Sequence, residues 1–303
     1  MRIGNSRRSD NFEDRGQGGG GGGGGGIGPQ LLFRVVRVLG FKGTVIAGVV
    51  VAGIYLVAPK GVKTAMSQAL GGGSAVATQA KGPGACEASE SNRQACDFSR
   101  VVLASTEDVW KGKFAQGELP GGSSGAYELP TLVVFTDNVT TGGCGGASSS
   151  SGPFYCPADN KLYLDPTFYQ TMATSLKAPG DFAQAYVIAH EVGHHVQNLI
   201  GSSRRQLEGE TKNQTSVRVE LQADCFSGVW GNAAKANLDI TEEDLNEALG
   251  AAHAIGDDAL GHADATQFTH GSSAQRLRWF QRGFQSGDAR TCDTFAEEDY
   301  GKL

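Results

Sequence analysis

The sequence lacks two features that would point to common classes of binding protein. It has no CxxC pair and, after the N-terminal segment, no concentrated block of basic residues. A structural zinc ribbon is therefore not expected, because ribbons take their ligands from closely spaced cysteines. The formal net charge is −6, whereas a phosphate-binding surface needs a concentrated positive field. We therefore expect no nucleic-acid partner.

Long uncharged apolar runs are also scarce. The apolar stretch at residues 31–57 has an uncharged part, residues 43–58, that is shorter than the roughly 20 residues of a usual bilayer span. Lys42 and Lys60 bracket it and can extend to the two membrane interfaces. We predict a single transmembrane anchor over residues 31–60, in contact with membrane lipid. A cleaved signal peptide and a buried core helix are the alternatives.

The rest of the N-terminal third is polar and rich in glycine. Residues 1–30 cannot bury enough apolar surface to offset their chain entropy, which predicts a disordered tail. Basic residues exceed acidic ones before the apolar stretch, which predicts that this tail is cytoplasmic. Residues 61–85 have the composition of a flexible linker. The globular domain is expected at residues 86–303.

Six cysteines all lie in this expected domain. An even number with two close pairs is typical of disulfides in an oxidising compartment, although buried free thiols in a cytosolic protein are the alternative. Pairing of neighbours gives Cys86–Cys96 and Cys144–Cys156, and elimination then leaves Cys225–Cys292. The sequence does not choose among the possible connectivities. The predicted location is the bacterial cell membrane, with the domain on the periplasmic side.

Within this domain the periodicity of apolar residues predicts an α+β fold that is mainly helical. The expected strands form a small sheet that packs over the helix at residues 181–200. A further helix is expected to open with a capping box at Thr241, and Ser216 is a plausible N-cap. The predicted helices are residues 97–114, 181–200, 216–236 and 272–284, and the predicted strands are residues 131–135, 154–155 and 161–164.

The helix at residues 181–200 contains an HExxH motif. His190 and His194 are four residues apart and share one helix face, so both imidazoles can bind one Zn²⁺ ion. Glu191 then lies beside the open coordination position, where it can act as the general base for a metal-activated water. His195 lies about 100° around the helix from His194, so we assign it a supporting or packing position.

A catalytic zinc site of this kind needs a third protein ligand. The best candidate is Glu220 on the next long helix, and Asp224 lies one turn beyond it on the same face. Asp224 can accept a hydrogen bond from a ligand imidazole and so fix its tautomer. The rival third ligands are Asp224 itself, Glu208, Glu210 and His253.

These motifs together resemble the bacterial neutral zinc metallopeptidases, which are related in motif logic to the gluzincins. The resemblance covers nearly the whole chain. It implies a zincin-like domain with one zinc ion and with the glutamate ligand on the helix after the HExxH helix. The segments that carry it are residues 8–15 (RSDNFEDR), 190–197 (HEVGHHVQ), 220–225 (ELQADC) and 269–276 (THGSSAQR).

The same resemblance implies functions for two residues near the C-terminus. In gluzincin-like sites, a histidine downstream of the third ligand commonly faces the developing oxyanion of the substrate. By that likeness His270 stabilises the tetrahedral intermediate and Arg276 orients a nearby carboxylate. The alternatives are a contact at a helix N-terminus for His270 and a surface salt bridge for Arg276. Tyr186 is the other candidate for the oxyanion position.

We therefore predict a membrane-anchored zinc metalloendopeptidase that acts on a peptide or protein substrate. An edge strand of the small sheet can bind an extended peptide by strand addition. Two other functions are compatible with the same motifs. One is a zinc hydrolase that acts on a non-protein amide such as cell-wall material. The other is a non-enzymatic envelope module that is stabilised by zinc.

Overall fold

The computed structural model describes residues 1–17, 84–123 and 125–303. These described residues belong to one compact unit. The predicted anchor at residues 31–60 and nearly all of the predicted linker lie outside them. None of the described helices has both the length and the apolar character that a bilayer span requires.

Helices dominate the described part of the domain. The long helix α3 ends at Gly201, which adopts the left-handed conformation that glycine accepts most readily. The fold is mainly helical with a small sheet, which agrees with the α+β prediction. The helices are α1 (Glu90–Gln116), α2 (Phe168–Thr174), α3 (Asp181–Ile200), α4 (Lys212–Ala234), α5 (Glu242–Ala254) and α6 (Ser273–Ser286).

The strands of the described residues are β1 (Phe12–Gln17), β2 (Thr131–Thr136), β3 (Asn138–Thr140), β4 (Gly146–Ser148), β5 (Phe154–Cys156) and β6 (Lys161–Leu164). Four of them form a sheet in the order β1-β2-β6-β5. β1 pairs parallel with β2, β2 pairs parallel with β6, and β5 pairs antiparallel with β6. A separate hairpin joins β3 to β4.

Strand β1 corrects the expectation of a disordered tail at residues 1–30 for residues 1–17, and residues 18–30 lie outside the described residues. The pairing of Phe12 with Leu132 places this polar segment in the sheet of the domain. Its polar side chains have buried partners, because the carboxylate of Glu107 accepts hydrogen bonds from Ser9 Oγ at 2.6 Å and Asn11 Nδ2 at 2.7 Å. Composition alone predicted disorder because it does not reveal such tertiary partners.

The first two described stretches of chain, residues 1–17 and 84–123, meet beside β1. One Asp14 carboxylate oxygen accepts the backbone N–H of Ala85 at 2.6 Å, and the other accepts that of Cys86 at 3.0 Å. Residues 14 and 85 therefore lie side by side in the domain.

Side-chain caps define where the helices begin. α4 starts after Thr211, whose hydroxyl accepts the N–H of Gln214 in a capping box. This start is earlier than the predicted one at residue 216, so Ser216 is not the cap. The capping box at Thr241 was predicted and is present, as is a cap at Ser272.

Close packing and covalent links hold the helices together. A Cβ atom at Gly283 of α6 would lie 1.9 Å from the carbonyl oxygen of Cys225 on α4, so these helices cross at a distance that only glycine permits. All three disulfides join the neighbours in sequence: Cys86–Cys96, Cys144–Cys156 and Cys225–Cys292. This pairing confirms the expected one.

The buried carboxylate of Glu107 provides a test of how strongly the N-terminal segment is held. Glu107→Leu removes the acceptor of Ser9 and Asn11 and a salt-bridge partner of Arg7, and it leaves the fully buried Ser9 hydroxyl without its acceptor. We expect the free energy of unfolding to fall by about 3 kcal/mol in urea denaturation. Asp108→Ala removes only an exposed partner of Arg7 and is expected to cost less than about 1 kcal/mol. Equal losses for the two variants would contradict the proposed anchoring.

Candidate metal centre

Helix α3 places two chemically different faces on opposite sides. Its apolar residues, including Phe182, Val192 and Val196, are fully buried in the core. The other face carries His190, Glu191 and His194, which all line one open cleft. The apolar spacing therefore orients the helix so that the motif residues face the cleft.

The motif glycine sets how closely α3 approaches α4. A Cβ atom at Gly193 would lie 3.0 Å from the carbonyl oxygen of Ala223 and 3.1 Å from its Cα. Such contacts are tighter than side chains normally accept, so the two helices cross here with almost no space between them. The crossing brings the carboxylates of Glu220 and Asp224 to the histidines of α3.

His190, His194 and Glu220 form a three-residue cluster with the geometry of a metal site. Their ligand atoms all lie within 4.8 Å of one another, and no other such cluster occurs among the described residues. Glu220 Oε2 lies 3.1 Å from His190 Nε2, and Glu220 Oε1 lies 3.5 Å from His194 Nε2. Ligand atoms of a tetrahedral zinc ion with bonds of about 2.0–2.2 Å lie roughly 3.3 Å apart. The donor set therefore fits zinc.

The other nitrogen of each ligand histidine also has a partner. His190 Nδ1 lies 2.9 Å from Asp224 Oδ1, and His194 Nδ1 lies 2.8 Å from Gln197 Oε1. The amide group of Gln197 is held in turn, because its Nε2 donates to the carbonyl oxygen of Val219 at 2.7 Å. These contacts fix both rings with Nε2 directed at Glu220, which is the arrangement that metal-binding histidines require.

Asp224 is the centre of a buried network. Arg276 donates from Nε and Nη2 to its two oxygens, both at 2.9 Å. Tyr186 donates its hydroxyl to the same carboxylate and lies 3.2 Å from Arg276 Nη2. Burial alone would raise the pKa of Asp224, but Arg276 and His190 outweigh burial and lower it. Asp224 is therefore an anion that both Arg276 and His190 neutralise.

Charges around the cluster follow from these contacts. Burial opposes protonation of His190, yet Asp224 and Glu220 raise the pKa of its imidazole to about 10. Burial would also raise the pKa of Glu220, but the two histidines lower it. Two carboxylates facing one imidazole make a strongly negative environment, and this environment favours a cation at the cluster.

Glu191 lies beside the cluster without belonging to it. It lines the same cleft as His190, His194 and Glu220. Burial raises the pKa of its carboxyl group, and the nearby histidines oppose that rise. A carboxylate with a raised pKa next to a metal site is suited to accept a proton near neutral pH.

His270 reaches the cleft from the loop before α6. Its Nδ1 lies 3.2 Å from Asp257 Oδ1, and its side chain is half exposed. The other oxygen of Asp257 accepts the backbone N–H groups of Thr269, His270 and Gly271. Asp257 thus fixes both the loop and the imidazole, which leaves Nε2 of His270 free to face the cleft.

The remaining candidates lie elsewhere or have other partners. Glu210 is held by the buried guanidinium of Arg218 at 2.6 Å. Glu208 and His253 do not belong to the metal cluster. His195 is buried and contacts Tyr155 Oη at 3.0 Å and the carbonyl oxygen of Glu128 at 2.7 Å. Burial lowers the pKa of His195 to about 4, so it is a neutral link between α3 and β5.

Sequence reasoning did not predict the supporting contacts of Gln197 and Asp257, and it proposed Tyr186 for the oxyanion position instead of its contact with Asp224. Gln197 lies one turn beyond Gly193 within the HEVGHHVQ segment, and this spacing was the signal that could have identified it. Asp257 has no such signal, because its contact with His270 depends on how the loop folds back. Tyr186 contacts Asp224 and Arg276 rather than an open oxyanion position.

The contact at Gly193 predicts that metal binding is sensitive to added volume. Gly193→Val should push α3 away from α4 and separate the histidines from Glu220. We expect metal content, measured by mass spectrometry of the purified protein, to fall at least about tenfold. Gly112→Val on α1 is the matched control, because a Cβ atom there meets nothing within 4 Å. Unchanged metal content in Gly193→Val would show that this crossing does not position the ligands.

Comparison with known proteins agrees with this geometry. The family model described as "Putative neutral zinc metallopeptidase" matches residues 1–295. The protein YpfJ of Escherichia coli strain K12 is 43% identical over 310 residues, which cover 98% of this chain and 99% of YpfJ. The protein Mb2605 of Mycobacterium bovis is 42% identical over 221 residues, covering 67% of this chain and 72% of that protein. No solved structure matches.

The matched range includes β1 as well as the metal cluster and the loop of His270, so the similarity extends over every element that forms the cleft. The chain belongs to the neutral zinc metallopeptidase family.

Proposed function

We propose that this protein is a zinc-dependent endopeptidase in which His190, His194 and Glu220 hold the metal and Glu191 is the general base. The observation that carries the proposal is the position of the Glu191 carboxylate in the same cleft as a complete three-ligand cluster. A site with three protein ligands leaves a coordination position open, as catalytic zinc sites do.

Several residues of the chain have separate functions in the proposed hydrolysis. A bound zinc ion supplies Lewis-acid polarisation and makes water more acidic. Glu191 accepts the proton of the attacking water and passes it to the leaving amine. Asp224 and Gln197 hold the two imidazoles in place, and Arg276 holds Asp224.

His270 is the candidate that stabilises negative charge on the substrate. Nδ1 of His270 donates to the Asp257 carboxylate, so Nε2 can also donate into the cleft only in the doubly protonated imidazolium form. An imidazolium held in this way is a prearranged donor for an oxyanion, and such donors contribute strongly to acyl-transfer catalysis. Tyr186 is committed to Asp224 and is not available for this purpose.

The cleft also has a surface that suits a peptide backbone. β5 is the last strand in the sheet order, and Phe154 and Tyr155 of β5 line the cleft. An extended peptide can add to such an edge through main-chain hydrogen bonds. This feature favours a peptide substrate over a non-protein amide, and an active general base favours an enzyme over a zinc-stabilised module.

The test is Glu191→Gln, which preserves side-chain size but removes the base. We expect hydrolysis of a peptide library to fall at least about 100-fold, while bound zinc stays at the wild-type level because Glu191 is not a ligand. Glu208→Gln is the matched control and should retain full activity, since Glu208 lies outside the cleft. If both variants cleave as the wild type does, the proposed chemistry is wrong.

The location of the protein needs a revised proposal. A single crossing by residues 31–60 would put residues 1–17 and 84–303 on opposite faces of a membrane. The parallel pairing of β1 with β2 and the contacts of Asp14 argue against that arrangement. The excess of basic residues predicts that residues 1–17 are cytoplasmic, whereas the disulfides predict a compartment outside the cytoplasm for the domain that contains these residues. Only one of these two predictions can hold.

We propose that the whole described domain, including residues 1–17, lies outside the cytoplasm, which is the location that the disulfides indicate. Residues 31–60 then contact membrane lipid without placing the two stretches on different sides. Disulfide bonds persist only in oxidising compartments, and all six cysteines are paired. The excess of basic residues is a weaker constraint, because two of them, Arg7 and Arg8, form salt bridges with Glu107 and Asp97 of the same domain.

Single cysteines at two exposed positions test this location. We expect Asn5→Cys and Lys302→Cys both to react with a membrane-impermeant maleimide on intact cells in which only the outer membrane is permeable. The unchanged chain is the control, because no free cysteine is present. Labelling at residue 302 alone would restore the single crossing, and labelling at neither position would place the domain in the cytoplasm.

A further inference from the structure

Helix α3 carries two adjacent stripes of polar residues, each with the spacing i, i+4, i+7 that places side chains on one helix face. The metal stripe faces α4, because its members contact Glu220 or the carbonyl oxygen of Val219. It consists of His190, His194 and Gln197. The sheet stripe starts one residue later, about 100° around the helix. It consists of Glu191, His195 and Asn198.

The side chain of Tyr155 on β5 contacts two members of the sheet stripe. Its Oη lies 3.0 Å from His195 Nδ1 and accepts a hydrogen bond from Asn198 Nδ2 at 3.2 Å. The rings of Tyr155 and His195 also meet edge to face, with their centroids 5.4 Å apart. These contacts fix β5 to one face of the metal helix.

The partners of Tyr155 are held in turn. His195 Nε2 donates to the carbonyl oxygen of Glu128 at 2.7 Å. Asn198 Nδ2 also donates to Asn160 Oδ1 at 3.1 Å, on the turn that joins β5 to β6. A displacement of the phenol hydroxyl would therefore break several hydrogen bonds together, and such networks rigidify the elements that they join.

The backbone of Tyr155 reaches the third member of the sheet stripe, the proposed general base. Burial raises the pKa of Glu191, and a hydrogen bond from the backbone N–H of Tyr155 opposes that rise because it stabilises the ionised carboxylate. One residue of β5 thus contacts all three members of the sheet stripe. Glu191 and Tyr155 also line the same cleft.

No alternate residue of β5 can replace this backbone donor. Alternate residues of a strand direct their N–H groups to the same side. The alternate neighbours of Tyr155 are Pro153 and Pro157, which have no N–H group. Prolines at such positions are typical of a sheet edge, and β5 is the last strand in the sheet order. A shift of β5 by two residues along α3 would leave Glu191 without this hydrogen bond.

We propose that Tyr155 is a positioning residue for the general base. Its hydroxyl fixes β5 against the sheet stripe, and its backbone N–H then holds the carboxylate of Glu191 in the cleft. The metal ligands have their own partners on α4, so a defect in this contact should lower turnover without releasing the metal. This inference rests on the proposed peptidase function.

The first experiment uses Tyr155→Phe in the zinc-loaded full-length protein, because this change removes the hydroxyl and keeps both the ring and the backbone N–H. The substrate is a fluorogenic peptide chosen from the cleaved members of a library. We expect kcat to fall about tenfold, because a misplaced base slows the chemical step, while KM changes less than about twofold. Zinc content should stay at the wild-type level. An unchanged kcat would overturn the proposal.

Tyr163→Phe is the matched control on the neighbouring strand β6. Its hydroxyl donates to Asp159 at 2.7 Å rather than to a residue of α3, and Tyr163 lies outside the cleft lining. This variant should keep the wild-type kcat. Equal losses of kcat in the two variants would show that any disturbed hydroxyl of the sheet slows the reaction, and Tyr155 would then have no special position.

A double-mutant cycle with Glu191→Gln separates positioning of the base from general structural support. If Tyr155 acts through Glu191, Tyr155→Phe should lower kcat less than about twofold further once the base is absent. If Glu191→Gln alone cleaves as the wild type does, the peptidase function itself fails. If Glu191→Gln is impaired and Tyr155→Phe still lowers kcat by the same factor in both backgrounds, only the positioning inference fails.

Asn198→Ala tests the same contact from the helix, so the proposal can be decided even if Tyr155→Phe folds poorly. It removes the donor to the Tyr155 hydroxyl and leaves Tyr155 and the metal ligands unchanged. We expect a smaller fall in kcat of about threefold, again with wild-type zinc content and again only when Glu191 is present. A loss of kcat in Asn198→Ala that does not depend on Glu191 would contradict the proposal.

Discussion

The carboxylate of Asp224 is the group on which the candidate site depends. It is fully buried, and a buried anion is tolerated only when charged and polar partners surround it. Arg276 from α6, Tyr186 from α3 and His190 from α3 all bind it. Because Asp224 lies on α4, its side chain links α3, α4 and α6 at one point. The same side chain contacts His190, which is a ligand of the metal cluster. The orientation of His190 follows from this network rather than from the helix alone.

A second constraint is the sheet that lies beside the metal helix. β5 borders the cleft, and His195 and Asn198 of α3 hold its Tyr155 by hydrogen bonds. At the opposite edge, β1 completes the sheet with residues from the N-terminus of the chain. The segment whose composition looked least able to fold is therefore part of the layer that supports the strand bordering the cleft.

Local patterns were sufficient to predict much of the site. The i, i+4 spacing of His190 and His194 and the acidic pair on the following helix predicted which side chains would meet, and the structure brings His190, His194 and Glu220 together. The contacts of Asp257 and Glu107 were not predictable. Both are buried carboxylates whose partners lie far away in the sequence or on a folded-back loop. The periodicity of apolar residues along the sequence does not indicate such contacts.

The membrane prediction shows how separate sequence rules can conflict. Charge bias around the apolar stretch and cysteine pairing each follow from sound physics, yet together they required residues 1–17 and 84–303 to occupy different compartments. The hydrogen bonds of Asp14 with Ala85 and Cys86 tie these two stretches together. Two of the basic residues counted as a topology signal, Arg7 and Arg8, form salt bridges with Glu107 and Asp97 inside the domain. A charge that is already paired within the fold is a weaker indicator of the side of a membrane on which its segment lies.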